Sequence, residues 1–376
     1  MIADAVRRGA SDIHFEPYPT EMRVRCRVDG VVFDSTTVPR HLISGLVSRI
    51  KIMAELDIAE KRMPQDGRIG LSVDGNYVDL RVATLPVVRG ESVVMRILDS
   101  RQVVMNLDSL GMGDADRARF ERAIRATHGA ILVTGPTGSG KTTTLYAGLA
   151  ELNTPDRTIV TVEDPVEYEI AGVKQVQVNS KTGLSFATGL RAMVRADPDV
   201  IMVGEVRDTE TAQIAIESAL TGHLVLTTLH ANGAPLAAAR LIDMGIEPFL
   251  VTSSVECVVA QRLVRQLCEC KVPVKLTKSM LAENGFALPR GFTAHEPGAC
   301  VRCGHSGYKG RTGLYEVMTM TDGLRRLILD RAGHGDLRAK AREEGMRTLR
   351  EDGLDKVRRG ITSVSEVLRV VGSIDG

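Results

Sequence analysis

Apolar and polar positions alternate over residues 22–28, where Met22, Val24, Cys26 and Val28 are separated by Arg23, Arg25 and Arg27. A period of two predicts a half-buried strand with one basic face. Asp29-Gly30 follows as a hairpin turn signal. Between 40 and 60, Leu42, Leu46, Ile50 and Met53 recur at helical spacing until Pro64-Gln65-Asp66-Gly67 breaks the pattern. The runs 78–83 and 93–98, joined through Pro86 and Gly90, predict two more strands. Residues 2–9 read as the last turns of a helix closed by Gly9, an abrupt start expected of a longer parent chain, trimmed or naturally short. An α/β domain over 1–100 and a linker over 101–113 are expected.

Beyond the linker the pattern changes. Short β-rich runs at 131–134, 158–162, 200–203 and 224–228 are separated by amphipathic stretches. Strands alternating with helices predict βαβ units and a parallel sheet covered on both faces. Ligands in such sheets bind beyond the carboxyl ends of the strands. From about residue 237 onward the chain reads as mostly helical, interrupted by a Cys-, Gly- and Pro-containing stretch at 268–311. Residues 321–376 carry helical patterns rich in Arg, Leu and Glu. The expected division is therefore a core over 114–267, a cysteine element over 268–310 and a helical C-terminal subdomain over 311–376.

Composition narrows the function. The 376 residues are enough for two or three domains. With 43% hydrophobic and 25% charged residues, the chain is a globular protein rather than a disordered one. Forty-eight basic residues against 47 acidic ones leave a net charge of +1, which argues against a dedicated nucleic-acid binder. Aromatics at 3% and no Trp argue against a base-stacking surface. No apolar run approaches the ~18–20 residues of a membrane span, and no secretory signal opens the chain. Six cysteines in this length read as metal ligands or reduced thiols of a cytosolic protein.

The strongest chemical signal is Gly135-Pro136-Thr137-Gly138-Ser139-Gly140-Lys141-Thr142, followed by Thr143. It matches G-x-x-x-x-G-K-[ST] directly after a predicted strand and before a predicted helix. The glycines let backbone N–H groups turn inward around phosphates, and the helix N-terminus adds partial positive charge. Lys141 is expected at the β- and γ-phosphates and Thr142 on Mg²⁺. The run 200–203 closes in Gly204-Glu205, with Gly204 where an Asp is usual, leaving Glu205 as the single strand-end acid beside Mg²⁺. Glu163, at the end of the 158–162 run, is the nearest second carboxylate by topology. It polarises water on one reading and caps a helix on the other. His223 and His230 flank the 224–228 run; His230, at its carboxyl end, is placed to sense a γ-phosphate, whereas a lone His is more often structural. Cys268-Glu269-Cys270 and Cys300-Val301-Arg302-Cys303 supply four thiolates for one tetrahedral, structural Zn²⁺, the alternative being reduced free thiols.

Taken in order, these segments resemble the GspE/PilB class of type II secretion and type IV pilus assembly ATPases. The resemblance rests on the phosphate loop, Glu163-Asp164-Pro165, Gly204-Glu205-Val206-Arg207-Asp208 and the two histidine segments. It extends to residues 11–17 and 61–68, and so covers essentially the whole chain. It implies a RecA-like P-loop ATPase core, preceded by a smaller PAS-like α/β domain and followed by a helical region with a zinc element. By the same resemblance Arg81 and Arg96 on the first domain, and Arg191 and Arg195 on the core, neutralise charge on the transferring phosphoryl group. The tetracysteine element belongs to assembly-type members and is absent from retraction-type ones; here its first pair is C-x-C rather than C-x-x-C. The resemblance further implies a homohexamer, cytoplasmic and peripheral to the inner membrane, meeting inner-membrane platform and cytoplasmic-domain components. It would drive pseudopilus or pilus assembly with ATP and Mg²⁺, without nucleic acid. The competing readings are a retraction-like ATPase, a RecA-like nucleic-acid translocase and a non-hydrolysing regulator. Arg23, Arg25 and Arg27 read as a polar sheet face.

Overall fold

The computed structural model describes residues 1–98, 106–275 and 293–372, which divide into two compact units, Met1–Val103 and Val104–Gly376. In the first unit, α1 (Ile2–Arg7) and α2 (Arg40–Met53) accompany six strands: β1 (Ala10–Pro17), β2 (Glu21–Val28), β3 (Val31–Pro39), β4 (Gln65–Val73), β5 (Asn76–Val87) and β6 (Gly90–Leu98). The sheet order is β3-β2-β1-β6-β5-β4, with every neighbour antiparallel. Antiparallel sheets tolerate one wet face. Ile13, Phe15, Met22, Val24, Leu80, Val82 and Met95 pack with Val47 and Ile50 of α2 on the dry side. The alternate positions of β2, Arg23, Arg25 and Arg27, stand on the other face with Glu21, Glu16 and Asp12 as ionic partners.

The second unit is built on a mixed, mostly parallel sheet of seven strands. These are β7 (Gly129–Thr134), β8 (Ile159–Glu163), β9 (Lys174–Gln177), β10 (Val200–Val203), β11 (Leu224–Leu229), β12 (Val255–Leu267) and β15 (Tyr308–Thr319), ordered β15-β12-β7-β11-β10-β8-β9. All pairings are parallel except β12 with β15. On one face α3 (Asp114–Ile124) and α4 (Lys141–Leu152) bury Phe120, Ile124, Leu145 and Leu149. On the other, α5 (Phe186–Met193), α6 (Thr209–Leu220), α7 (Ala234–Asp243) and α8 (Pro248–Ser254) bury Leu190, Ile216, Leu241 and Val251. The central strands are buried on both faces, which is why they read as unbroken apolar runs.

The structure corrects the expectation that the chain beyond residue 237 is mostly helical. Residues 255–267 are the long strand β12, and residues 308–319, which run into the expected helical subdomain over 311–376, are its antiparallel partner β15. A short apolar run cannot be assigned to helix or strand by periodicity alone; here β-branched Val255, Val258, Val259 and Val264 found a sheet edge to join. Helices resume as α9 (Asp322–Leu329), α10 (His334–Glu343), α11 (Leu349–Arg358) and α12 (Val364–Val371). Between β12 and β15, β13 (Val272–Val274) pairs with β14 (Ala294–Glu296). Residues 101–105 of the expected linker lie outside the described residues. Residues 106–113 are not a free connection, because Leu107, Leu110 and Met112 are buried in the second unit's core.

Candidate active site

The loop 135–140 leaves the carboxyl end of β7 and enters α4 at Lys141. Gly135 and Gly140 hold φ of +151° and +85°. A Cβ at Gly135 would lie 2.4 Å from the carbonyl oxygen of Gln261, and one at Gly140 would lie 2.9 Å from its Nε2. These positions therefore need glycine both for conformation and for the close approach of β12. Ala260 pairs with Thr134 in register, so Gln261 and Arg262 run alongside the loop. Neither residue is marked by any motif; the β-branched character of 255–264 is the only sequence signal that leads to them.

Lys141 Nζ donates to the carbonyls of Gly135 at 2.9 Å and Pro136 at 3.0 Å, across the inside of the loop. Burial lowers its pKa and Arg262 adds to that, while Glu205 opposes both. Ser139 Oγ is buried without a partner. Pro136, Thr137, Gly138, Thr142 and Thr143 are exposed. An orphaned hydroxyl, a lysine with only carbonyls to bond and a glycine cradle fit a polyphosphate.

Glu205 follows β10 on a segment fastened to its neighbours. Gly204 N–H donates to Val162 O at 2.8 Å, Thr228 Oγ1 to Gly204 O at 2.8 Å, and Val206 N–H to Thr228 O at 3.0 Å. A Cβ at Gly204 would stand 3.3 Å from that Val162 oxygen, so the glycine in place of the usual Asp suits the tight crossing. Glu205 is paired with Arg207, and His230 Nε2 is 3.4 Å from its Oε2. Burial pushes the Glu205 carboxyl up, but Arg207 and His230 outweigh it and hold the group below its usual range. His230 stands at the carboxyl end of β11, in a turn secured where Thr134 Oγ1 bonds the Ala231 backbone. His223 lies at the opposite end of that strand, with Nδ1 2.9 Å from Ser218 O, far along the strand from the loop.

Glu163 closes β8 with its carboxylate held inward. It is 2% exposed, with its carboxylate turned toward α4, where it accepts from Tyr146 Oη, from Thr161 Oγ1 at 2.6 Å and from Gln175 Nε2 at 3.1 Å. Burial and the bond to Glu163 raise the Tyr146 pKa, so its phenol stays a donor. The buried Arg262 donates to Asn232 Oδ1 at 3.0 Å; its pKa is lowered by burial, against the field of Glu316. Arg191 pairs with Glu210 on α6, and Arg195 is exposed without an ion pair among the described residues. Arg81 and Arg96 belong to the first unit.

Cys268, Cys270, Cys300 and Cys303 converge, with Sγ–Sγ distances of 3.8 Å for 268–300, 3.8 Å for 270–303 and 3.7 Å for 300–303. A tetrahedron with Zn–S bonds of about 2.3 Å has edges of about 3.8 Å, so the shorter C-x-C bite still fits zinc. Gly307 N–H donates to Cys303 Sγ at 3.2 Å, a contact that favours thiolate.

A phosphate-type loop between a parallel strand and a helix, faced by a carboxylate and a histidine from the next two strand ends, defines a P-loop ATPase. The chain belongs to the type II/IV secretion system protein family, whose model matches residues 1–369. It is 52% identical over 375 residues to the type II secretion system ATPase E of Vibrio cholerae, covering 98% of this chain and 74% of that protein. It is also 52% identical over 371 residues to type II secretion system protein E of Pseudomonas aeruginosa, covering 98% of this chain and 74% of that one. The fold is that of the Legionella pneumophila ATPase DotB (TM-score 0.71, 21% identity, 97% of this chain and 92% of that one). It is shared with the pilus retraction motor PilT with bound ADP (TM-score 0.66, 25% identity, 100% and 96%). The chain is an ATP-hydrolysing enzyme of the secretion and pilus class. Among the described residues no helix is long and apolar enough to cross a membrane.

Proposed function

We propose that the chain is a Mg²⁺-dependent ATPase that works as a homohexamer. It powers assembly of a type II secretion pseudopilus or type IV pilus, at the cytoplasmic side of the inner membrane, through platform and cytoplasmic-domain components. The observation that carries this reading is the glycine cradle with Lys141, braced by Gln261 and faced by Glu205 and His230. Backbone N–H groups of 138–142 and Lys141 Nζ hold the phosphates, and the exposed Thr142 hydroxyl with Glu205 offers the hard oxygen donors that suit Mg²⁺. That ion would neutralise β- and γ-phosphate charge. Glu205 and Glu163 orient water, His230 reads the γ-phosphate, and Arg81, Arg96, Arg191 and Arg195 neutralise charge on the transferring phosphoryl group. Residues 1–100 act as the PAS-like second N-terminal domain. The four cysteines hold Zn²⁺, which supports the assembly side over a retraction-like motor; the near-neutral charge weighs against a nucleic-acid translocase.

The test is ATP hydrolysis against protein concentration, with Glu205→Gln as blank. A specific rate that climbs steeply with concentration supports sites completed by assembly. A rate that stays flat down to dilutions holding only monomers rules out the ring motor.

A further inference from the structure

The polar face of the first unit's sheet carries an unusual cross-strand row. In register, Arg68 of β4 opposes Arg81 of β5, Arg81 opposes Arg96 of β6, Arg96 opposes Asp12 of β1, and Asp12 opposes Arg27 of β2. Ile69, Leu80, Met95, Ile13 and Cys26, their neighbours in sequence, are buried on the other side, so all five row residues share the wet face. Four guanidinium groups thus meet one carboxylate. Asp12 is consumed at one end: Arg96 Nε bonds its Oδ1 at 3.1 Å, Arg27 Nε lies 3.5 Å from its Oδ2, and Ser11 Oγ donates to it at 2.9 Å. Arg27 also donates to Gly30 O at 3.0 Å. At the other end, Arg68 and Arg81 have no ion pair among the described residues, and Arg81 Nε is buried with no hydrogen-bond partner at all. Asp66 and Asp79 share the face, two residues along their strands, and form no ion pair with either arginine.

Like charges placed directly opposite on adjacent strands destabilise a sheet, and a buried N–H without a partner adds to the cost. Three consecutive arginines therefore make little sense as a fold-stabilising device. They make sense as a fork-shaped anion receptor, because guanidinium planes bind phosphate oxygens in pairs. Two strand spacings put the ends of the triad about 10 Å apart, a span that suits a chain of phosphates rather than a single one.

We infer that Arg68, Arg81 and Arg96 form one polyphosphate-binding row, with Arg68 its third and so far unassigned member, and with the triphosphate of a nucleotide as the ligand class. This rests on the reading that Arg81 and Arg96 act on ATP. It adds that Arg68 acts with them, whereas Arg27, which lies beyond Asp12 in the row and also donates to Gly30 O, does not.

The probe is inorganic tripolyphosphate, titrated calorimetrically into the full chain carrying Lys141→Ala, which disables the phosphate loop. Salt-sensitive binding is expected to remain, to weaken at least tenfold on adding Arg68→Ala, and to change less than twofold on adding Arg27→Ala. No residual binding, or equal losses from both substitutions, overturns the row, since equal losses mean bulk charge alone. With Lys141 intact, Arg68→Ala is expected to lower kcat/KM for ATP alongside Arg81→Ala and Arg96→Ala, without lowering Tm. If Arg81→Ala and Arg96→Ala depress turnover and Arg68→Ala does not, the triad fails and the two-arginine reading stands. If all three leave turnover intact while tripolyphosphate binding still depends on Arg68, the row stands and its nucleotide role falls.

Discussion

Thr144 Oγ1 donates a 2.7 Å hydrogen bond to Gln261 Oε1, both residues buried, and so ties the first turn of α4 to β12 beneath the phosphate loop. The same Gln261 places its carbonyl against Gly135 and its amide against Gly140. One side chain and its backbone thus brace both ends of the loop.

Gln261→Leu is expected to strand the Thr144 hydroxyl and remove that brace. The cost should be about 1–3 kcal/mol of stability, with ADP binding weakened as well. Denaturant unfolding and nucleotide titration check both, and wild-type values in each would show that the loop stands without β12.

Tyr146 lies four residues after Thr142 on α4 and donates to Glu163. On the proposed role of Glu163 in orienting water, Tyr146→Phe is expected to reduce kcat by roughly 10²-fold, within the range of acid–base contributions, while KM for ATP stays within about twofold of wild type. Steady-state kinetics across pH give the readout. A raised KM with unchanged kcat would assign the pair to binding instead.

Glu366 holds α12 to β12 by accepting from Arg265 N–H at 3.0 Å, Arg265 Nη2 at 2.8 Å and Arg369 Nη2 at 2.6 Å. Burial pushes its carboxyl up, but the Arg369 and Arg265 bonds outweigh it and bring the pKa down to about 2 from 4.5. A carboxylate depressed by folding contributes stability above its unfolded pKa and loses it as pH falls through the folded one. The second unit should therefore lose on the order of 3 kcal/mol between about pH 4.5 and 2. Glu366→Gln should be less stable at neutral pH and should lack this part of the acid transition in pH-dependent unfolding.

The cysteine tetrahedron predicts one Zn²⁺ per chain by elemental analysis. Cys270→Ser should abolish it and lower Tm by several degrees. Strand β12 should remain, since Gln261 and Arg262 lie well before Cys268. A metal-free wild-type chain with unchanged Tm under chelation would make these four residues plain thiols.

The phosphate loop was legible because its chemistry is local. Glycines at fixed intervals, a lysine and a threonine must lie within one strand–turn–helix unit to wrap phosphate, so spacing alone revealed them. Glu205 and His230 were legible for a related reason: each ends an apolar run, and parallel sheets gather strand ends at one edge. The histidine pair was separable on the same ground, since strand direction puts His230 at the carboxyl end of β11 and His223 at the other.

Glu163 illustrates what local pattern could not resolve. Its place at a strand end was readable, but its partners Tyr146 and Gln175 come from α4 and β9, and only packing brings them together. Gln261 and Arg262 were invisible because their strand fits helical and extended periods alike; the choice was made by an open edge of β7 more than a hundred residues earlier.

The sequence by itself determined the ATPase chemistry, the mostly parallel core and the four-cysteine cluster, because motif spacing and apolar runs are properties of contiguous chain. Tertiary structure alone decided which residues brace the loop, where the Glu163 carboxylate turns, and that Arg68, Arg81 and Arg96 stand in one row. Those relationships depend on strand register and on burial against distant elements, where a shift of a single residue would send every side chain of a strand to the opposite face.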